Sequence, residues 1–279
     1  MAIDLHTHSS ASDGTDAPAE LIRRASAKGL TAVALTDHDT LSGLTEARSA
    51  AADAGIRLIP GTELSVDHDG LKLHMLVHFL EPQDGPLQDR LAELRQGRHE
   101  RNDKIIVKLR ELGYEIDETD VNAQAGGEAV GRPHIADALV AKGFVSTRAD
   151  AFDGLLSDRG AAYVERLRLS ATAAMSLAAA SGAVTTVAHP YTIDRNAETF
   201  PALFAELQVL GLSGLEAYYP EHSKDLQAHL AALAKDLGLV ATGGSDYHGT
   251  GKPGLELGSG FGDLVVPDTV LAELEKRKP

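Results

Sequence analysis

The chain reads as an α/β protein whose strand–helix order builds a parallel sheet or barrel, interrupted by a helical insertion. Three observations carry this reading. Apolar strands and helical stretches alternate through the first 60 residues and resume at Val184, which is the pattern of parallel α/β folds. Residues 86–180 lack that alternation and read as helices throughout. Polar residues gather just past the strands, at the ends where such folds collect functional groups. Residues 1–95 and 181–279 are therefore read as one body, and 96–180 as the insertion.

The first strand is short, with Ile3 and Leu5 alternating with Asp4 and His6. His6 and His8 lie two residues apart, so in an extended segment both point to one side and can converge on one ion. Asp13-Gly14 follows after a small polar loop. Pro18 and Glu20 suit a helix first turn, and Gly29 closes that helix. Thr31 to Leu35 is the second strand, ending in Thr36-Asp37-His38-Asp39, where Asp37 or Asp39 could cap the next helix. That helix runs to Gly55. The third strand, near Arg57 to Ile59, leads through Pro60-Gly61 to Glu63.

Asp69-Gly70, between Leu64–Val66 and Leu71–Val77, is a two-residue hairpin signal; Asp67 and His68 beside it read as solvated, and the second arm carries His74 and His78. Residues 86–112 form a long helix with Leu87, Leu91, Leu94, Ile105, Leu109 and Leu112 on one stripe. Arg98, Arg101 and Asn102 interrupt that stripe. Either this turn faces a polar cavity, or the helix leaves the body there and meets water. Short helices follow, and Gly131-Arg132-Pro133-His134 opens one that ends at Lys142-Gly143. A proline at a helix start, with free N–H groups behind it and Arg132 beside it, makes an anion site. Strands then recur at 184–188, 214–218 and 239–242, the first ending in His189-Pro190 and the last in Gly244-Ser245-Asp246-Tyr247-His248.

Composition narrows the function. Cysteine is absent, which excludes disulfides, thiolate metal sites and a cysteine nucleophile. A formal charge of −15 opposes binding to long nucleic acid, while metal ions in a site could still reverse the local field for a small anion. No apolar run approaches a membrane span and no signal peptide precedes the first strand, so a soluble, cytoplasmic protein is expected. With only 4% aromatic residues, the core must rest on Leu, Val, Ile and Ala.

Collected by strand end, the polar groups are His6, His8, Asp13, His38, Glu63, His74, His189, Asp246 and His248. Six imidazoles and three carboxylates exceed what one proton-transfer pair needs, and they suit two or three divalent ions with a bridging carboxylate. The motifs His6-Thr7-His8 with Asp13-Gly14, Thr36-Asp37-His38-Asp39, Gly61-Thr62-Glu63, Ala188-His189-Pro190 and Gly244-Ser245-Asp246-Tyr247-His248 together resemble the PHP (polymerase and histidinol phosphatase) metal-dependent phosphoesterases, over the whole chain. The resemblance implies a distorted seven-stranded (β/α) barrel. It also implies three ion sites: His6, His8, Glu63 and Asp246; Glu63, His74 and His189; and Asp13, His38 and His248. Mn, Fe or Zn are the expected ions.

The insertion and Gly131-Arg132-Pro133-His134 resemble the branch of that family that acts on nucleotides. This implies a phosphate monoester substrate: a nucleoside 5′-monophosphate, a 3′,5′-bisphosphate or the 5′ end of a short RNA. Arg132 and His134, with Arg101 and Asn102, are then the phosphate-binding residues. Hydroxide held between metals would attack phosphorus in line, with Asp13, His38 and Glu63 at the catalytic centre and His222, near Tyr218-Tyr219, as one candidate for the leaving-group acid. Glu165 stands where that branch implies a proline. Alternatives are a histidinol-phosphate phosphatase, an amidohydrolase-type C–N hydrolase and a non-catalytic metal-binding module. The arginines of the insertion, Glu63 in place of a bridging lysine, and the lack of a polymerase body speak against each in turn.

Overall fold

The computed structural model describes residues 2–195 and 197–279. In chain order the elements are β1 (Ala2–Asp4), α1 (Pro18–Ala27), β2 (Leu30–Leu35), α2 (Leu44–Ala54), β3 (Arg57–His68), β4 (Leu71–His78), α3 (Pro86–Glu111), α4 (Glu118–Asn122), α5 (Arg132–Ala141) and α6 (Arg148–Asp153). They continue with β5 (Leu169–Ser170), α7 (Ala171–Ala180), β6 (Val184–Val187), α8 (Phe200–Val209), β7 (Gly214–Tyr218), α9 (Lys224–Asp236), β8 (Val240–Gly243) and α10 (Thr269–Glu275). Among the described residues no helix is long and apolar enough to cross a membrane.

The strands follow the order β1-β2-β3-β4-β6-β7-β8, with two-residue β5 beside β3. All neighbours on that path are parallel except β4, which runs antiparallel to both β3 and β6. The reversal is the Asp69-Gly70 hairpin, whose two turn residues take φ of 50° and 85°, the left-handed pair a two-residue turn needs. Because β4 runs backwards, its first half lies at the same end as the C-termini of the parallel strands. His74 therefore reaches that end, while His78 donates to the Leu5 carbonyl inside the barrel (2.9 Å).

The seam between β8 and β1 closes through the segments beyond the strands rather than through the strands themselves. Leu5 N–H donates to Gly243 O (3.3 Å), Asp246 N–H to His6 O (2.8 Å) and His8 N–H to Tyr247 O (2.9 Å). Gly244 makes this approach possible: a Cβ there would lie 2.4 Å from the backbone nitrogen of His6. Asp4 completes the seam by accepting from Ser245 N–H and Oγ–H (2.8 and 2.6 Å) and from Gly258 N–H (2.8 Å). The result is a distorted seven-stranded barrel whose ligand-bearing segments are part of its closure.

Helix α3 joins two hydrophobic cores. Leu87, Leu91 and Leu94 lie in the barrel core with Met75, Val187 and Leu215, whereas Ile105, Ile106 and Leu109 lie in a second core with Val121, Ile135 and Leu139. Between them Arg98, Arg101 and Asn102 are buried, so this turn faces a polar interior and not water. The boundary read at 95/96 thus falls inside a continuous helix. At its other end, Ala171, Ala174 and Met175 of α7 pack in the barrel core, and the helical cap proper spans roughly the second core, from Ile105 to Val164.

Candidate metal and phosphate centre

His6, His8, Asp13, His38, His189, Asp246 and His248 follow the ends of apolar strands, while Glu63 and His74 lie within the paired strands β3 and β4, and all converge at one end of the barrel. Glu63 is the hub. Its Oε2 stands 3.3 Å from His6 Nε2, 3.1 Å from His8 Nε2 and 3.3 Å from His38 Nδ1, while its Oε1 stands 2.8 Å from His74 Nδ1 and 3.1 Å from His189 Nε2. Asp246 Oδ1 lies 3.3 and 3.4 Å from the Nε2 atoms of His6 and His8, and Asp13 Oδ1 lies 3.3 Å from His248 Nε2. Three groups of ligand atoms result, each mutually within 4.8 Å: His6, His8, Glu63 and Asp246; Glu63, His74 and His189; and His8, Asp13, His38 and His248.

The electrostatics favour cations. Burial opposes charge on His6, yet Asp246, Glu216 and Glu63 push its imidazole well above the usual range. Against the same burial, hydrogen bonds to Asp246 and Glu63 raise His8 to about 9. Burial alone would push the Asp13 carboxyl up, but His38 and His248 hold it well below the ordinary value. His38 goes the other way: burial drives it to about 3, and the charges of His8 and Arg98 add to the shift. His8 Nδ1 and His38 Nδ1 are buried without a hydrogen-bond partner. A thiol-free nitrogen and oxygen set with orphaned imidazole nitrogens fits borderline divalent ions, whose binding displaces the same protons.

A second tier of side chains fixes the first. Glu216, fully buried, accepts from His6 Nδ1 (3.0 Å) and from the His189 backbone N–H (2.6 Å). Tyr219 donates to Asp246 Oδ2 (2.8 Å), and the Lys252 ammonium pairs with the same oxygen. Asp37 accepts from Ser9 N–H (2.8 Å), Ser9 Oγ–H (2.7 Å) and Ser12 Oγ–H (2.6 Å), shaping the loop that carries Asp13. Neither Asp37 nor Asp39 caps α2. Asp39, His189 and Asp246 all take positive φ (54°, 29° and 54°), a backbone region that costs non-glycine residues energy.

Beside His38 and His74 stands a cluster of arginines. Asp39 pairs with Arg98 (2.6 Å) and with Arg166. Arg101 donates to the Val164 carbonyl (2.8 Å) rather than to a carboxylate, and burial together with Arg132 and Arg166 pushes it down to about 9. Arg132 donates to Leu156 O (3.0 Å) and Asp158 Oδ1 (3.3 Å). Asn102 Nδ2 donates to Val130 O (2.9 Å), leaving its Oδ1 buried and unpartnered. His134 Nδ1 accepts from Gly131 N–H (3.0 Å), which makes Nε2 its protonated nitrogen. Arg101, buried beside Arg132 and Arg166 and bonded to a carbonyl instead of a carboxylate, marks a place short of anions.

A profile of the PHP domain matches residues 4–118. Over 98% of its length the chain is 34% identical to 98% of a 5′-3′ exoribonuclease of Haemophilus influenzae. It is 32% identical, over 99% of the chain and 97% of the relative, to a 3′,5′-nucleoside bisphosphate phosphatase of Chromobacterium violaceum. Among solved structures, a candidate metal-dependent phosphoesterase of Bifidobacterium adolescentis (96% covered) and an amidohydrolase of Chromobacterium violaceum with bound sulfate (97% covered) each superpose on 99% of the chain, with TM-scores of 0.89 at 32% identity. The chain belongs to the PHP family. It is a metal-dependent phosphoesterase.

Within this PHP site, the nine residues picked out at strand ends come together. Arg101, Asn102, Arg132 and His134 lie at the junction of cap and barrel. His222 does not join the nine. Its Nδ1 donates to Ala217 O (2.9 Å), and its ring packs 5.2 Å behind that of Tyr219, which itself lies 5.7 Å from His189. His68 is not solvated but buried, with Nε2 3.5 Å from Glu206. Glu165, in place of the proline, accepts from Tyr163 Oη–H (2.9 Å) and pairs with Arg168. Glu216, Arg166 and Lys252 belong to the centre without having stood out in the sequence, and Asp37, Asp39 and Arg98, which did stand out, belong to it in roles other than those read for them. Of these, only Asp37 and Asp39 lay inside a recognised motif.

Proposed function

We propose that this protein hydrolyses a phosphate monoester of a nucleotide: a nucleoside 5′-monophosphate, a 3′,5′-bisphosphate or the 5′ end of a short RNA. The observation that carries the reading is the junction of a nine-ligand centre with a buried arginine cluster, because an anionic phosphoryl group satisfies both. Divalent ions, when bound, polarise the phosphoryl oxygens and lower the pKa of water toward neutrality. His6, His8, Glu63 and Asp246 would hold one; Glu63, His74 and His189 a second; Asp13, His38 and His248 a third. Mn, Fe and Zn all suit such donors.

The chain's own residues supply the rest. Glu63 spaces the imidazoles around one carboxylate. Arg101 and Arg132, with the protonated Nε2 of His134, orient the phosphoryl group, and the buried setting excludes water that would screen them. Glu216 and Tyr219 keep His6, His189 and Asp246 from swinging during the displacement. The relatives named as an exoribonuclease and as a bisphosphate phosphatase support a nucleotide, and the net charge of −15 supports a short ligand over a long polyanion.

The test is a panel of phosphate esters with metal analysis of the purified enzyme. Nucleoside phosphates should be hydrolysed, and Arg132→Ala should lower kcat/KM on them about tenfold or more, the loss of one charged hydrogen bond. No turnover of any nucleoside phosphate beside efficient turnover of histidinol phosphate or an amide would sink the proposal.

A further inference from the structure

At the tip of the β3–β4 hairpin, three side chains from two parts of the fold converge. His68 is the last residue of β3, Asp69 opens the turn, and Glu206 lies on α8. Their ligand atoms, an imidazole nitrogen and two carboxylate oxygens, all lie within 4.8 Å of one another. Glu63, the hub of the nine-ligand centre, stands earlier on the same strand, about 17 Å away along it at ~3.3 Å per residue. The two groups of ligand atoms have no residue in common.

The His68 side chain is only 9% exposed, yet its Nε2 is buried without a hydrogen-bond partner. A polar atom withdrawn from water and left unpaired costs free energy. Glu206 Oε2 stands 3.5 Å from it, beyond the roughly 2.7–2.9 Å of a charge-assisted hydrogen bond. Two ligands each about 2.0–2.2 Å from a tetrahedral zinc ion lie about 3.3–3.6 Å apart, which matches that separation. Leu203 and Leu207, on either side of Glu206 in the sequence, pack in the barrel core with Val66 and Leu73, so the helix holds the carboxylate against the hairpin. Asp69 is exposed, and it is Asp67 that secures the turn by accepting from Gly70 N–H (3.1 Å). The Asp69 carboxylate is thus free to turn inward and complete the set.

We propose that His68, Asp69 and Glu206 form a further metal site, separate from the nine-ligand centre, that takes a divalent ion of the zinc class and clamps the hairpin to α8. The imidazole favours Zn, Co or Ni over Mg or Ca, and the fourth position falls to water. Because the same hairpin carries Glu63 and His74 on its two arms, an ion at its tip stiffens the strands that present those ligands and takes no part in the displacement itself. The site is independent of which ester is cleaved.

The experiment counts zinc bound per chain, by equilibrium dialysis and elemental analysis, in the wild type and in Asp69→Asn/Glu206→Gln. Both substitutions are on the surface, and Asn-Gly suits the turn as well as Asp-Gly does. The double variant should bind one ion fewer, with kcat/KM on p-nitrophenyl phosphate unchanged in the same metal. Its zinc-dependent rise in Tm should be smaller by about 5 °C, the effect of one ion at about 100 times its Kd. His68→Gln should lose the same ion, and the double variant carries the test if that buried change impairs folding. Equal zinc counts, as expected if His68 and Glu206 form only an ion pair, overturn the site. A lost ion accompanied by lost activity also overturns it, because that ion then belongs to the nine-ligand centre. Equal rises in Tm overturn the clamp.

Discussion

Glu216 shows how much of this centre depends on residues that are not themselves expected to touch an ion. One carboxylate orients two imidazole-bearing segments 183 positions apart in the chain (His6 and His189). Glu216→Gln should weaken metal affinity by about 10- to 100-fold, as loss of such outer partners does, without unfolding the barrel; isothermal titration with Mn or Zn measures it, and unchanged affinity would refute the orienting role. Asp39 acts on the other side of the centre. Asp39→Asn would leave Arg98 and Arg166 buried without their shared counter-charge, a loss of about 3 kcal/mol, readable by urea unfolding at neutral pH. The sign with pH follows from the direction of the shift. Despite burial, Arg166 and Arg98 hold the Asp39 carboxyl below its ordinary value, so its contribution is complete above the unfolded carboxylate pKa of ~3.9 and fades as pH falls below it. The gap between wild type and Asp39→Asn should therefore narrow in acid. Eight of the nine proposed ligands were legible because each sits in a short motif, and His74 because it lies on the second arm of the Asp69-Gly70 hairpin. Glu216 was not, because its partner His6 lies 210 residues away and nothing local distinguishes it from any buried strand residue.

Among the elements, the β8–β1 seam and helix α3 carry the most consequence. Gly244 cannot accept a side chain without moving the backbone of His6, so Gly244→Ala should destabilise the fold and reduce metal loading together. A variant with normal Tm and full metal content would show that the seam yields easily. The Asp69-Gly70 hairpin and the limits of α3 were readable from turn chemistry and apolar spacing. The polar turn Arg98–Asn102 left two readings open, because a stripe broken by charge looks the same whether it meets water or a buried carboxylate. His68 was misread for a related reason: proximity to a turn says little when α8 packs over it with Glu206.

For the molecule as a whole, the shared helix predicts cooperative behaviour. Since α3 contributes to both cores, the cap should not melt as a separate domain, and calorimetry of the metal-loaded protein should show a single transition. Two resolved transitions would mean that the polar middle of α3 uncouples its halves. Removing metal should lower that transition, because an ion present at about 100 times its Kd contributes roughly 2.7 kcal/mol per site to the folded state; a Tm indifferent to chelation would count against binding at the buried centre. Strand–helix alternation left a parallel sheet or a barrel open, the resemblance implied the barrel, and the cap was legible from the interruption of the alternation. The closure of the barrel was not, since it runs through irregular segments whose hydrogen bonds no periodicity announces.

The left-handed backbone at Asp39, His189 and Asp246 bears on how this sequence can change over time. Glycine would sit at each position with less conformational strain, by about 1–2 kcal/mol, so the backbone at these sites favours loss of the very side chains the centre uses. Without metal, sorting for heat resistance would let His189 drift toward glycine and leave the protein catalytically silent, whereas at Asp39 and Asp246 the loss of the ion pairs with Arg98, Arg166 and Lys252 outweighs the strain relieved. Sorting for phosphate release would hold His189 against that drift.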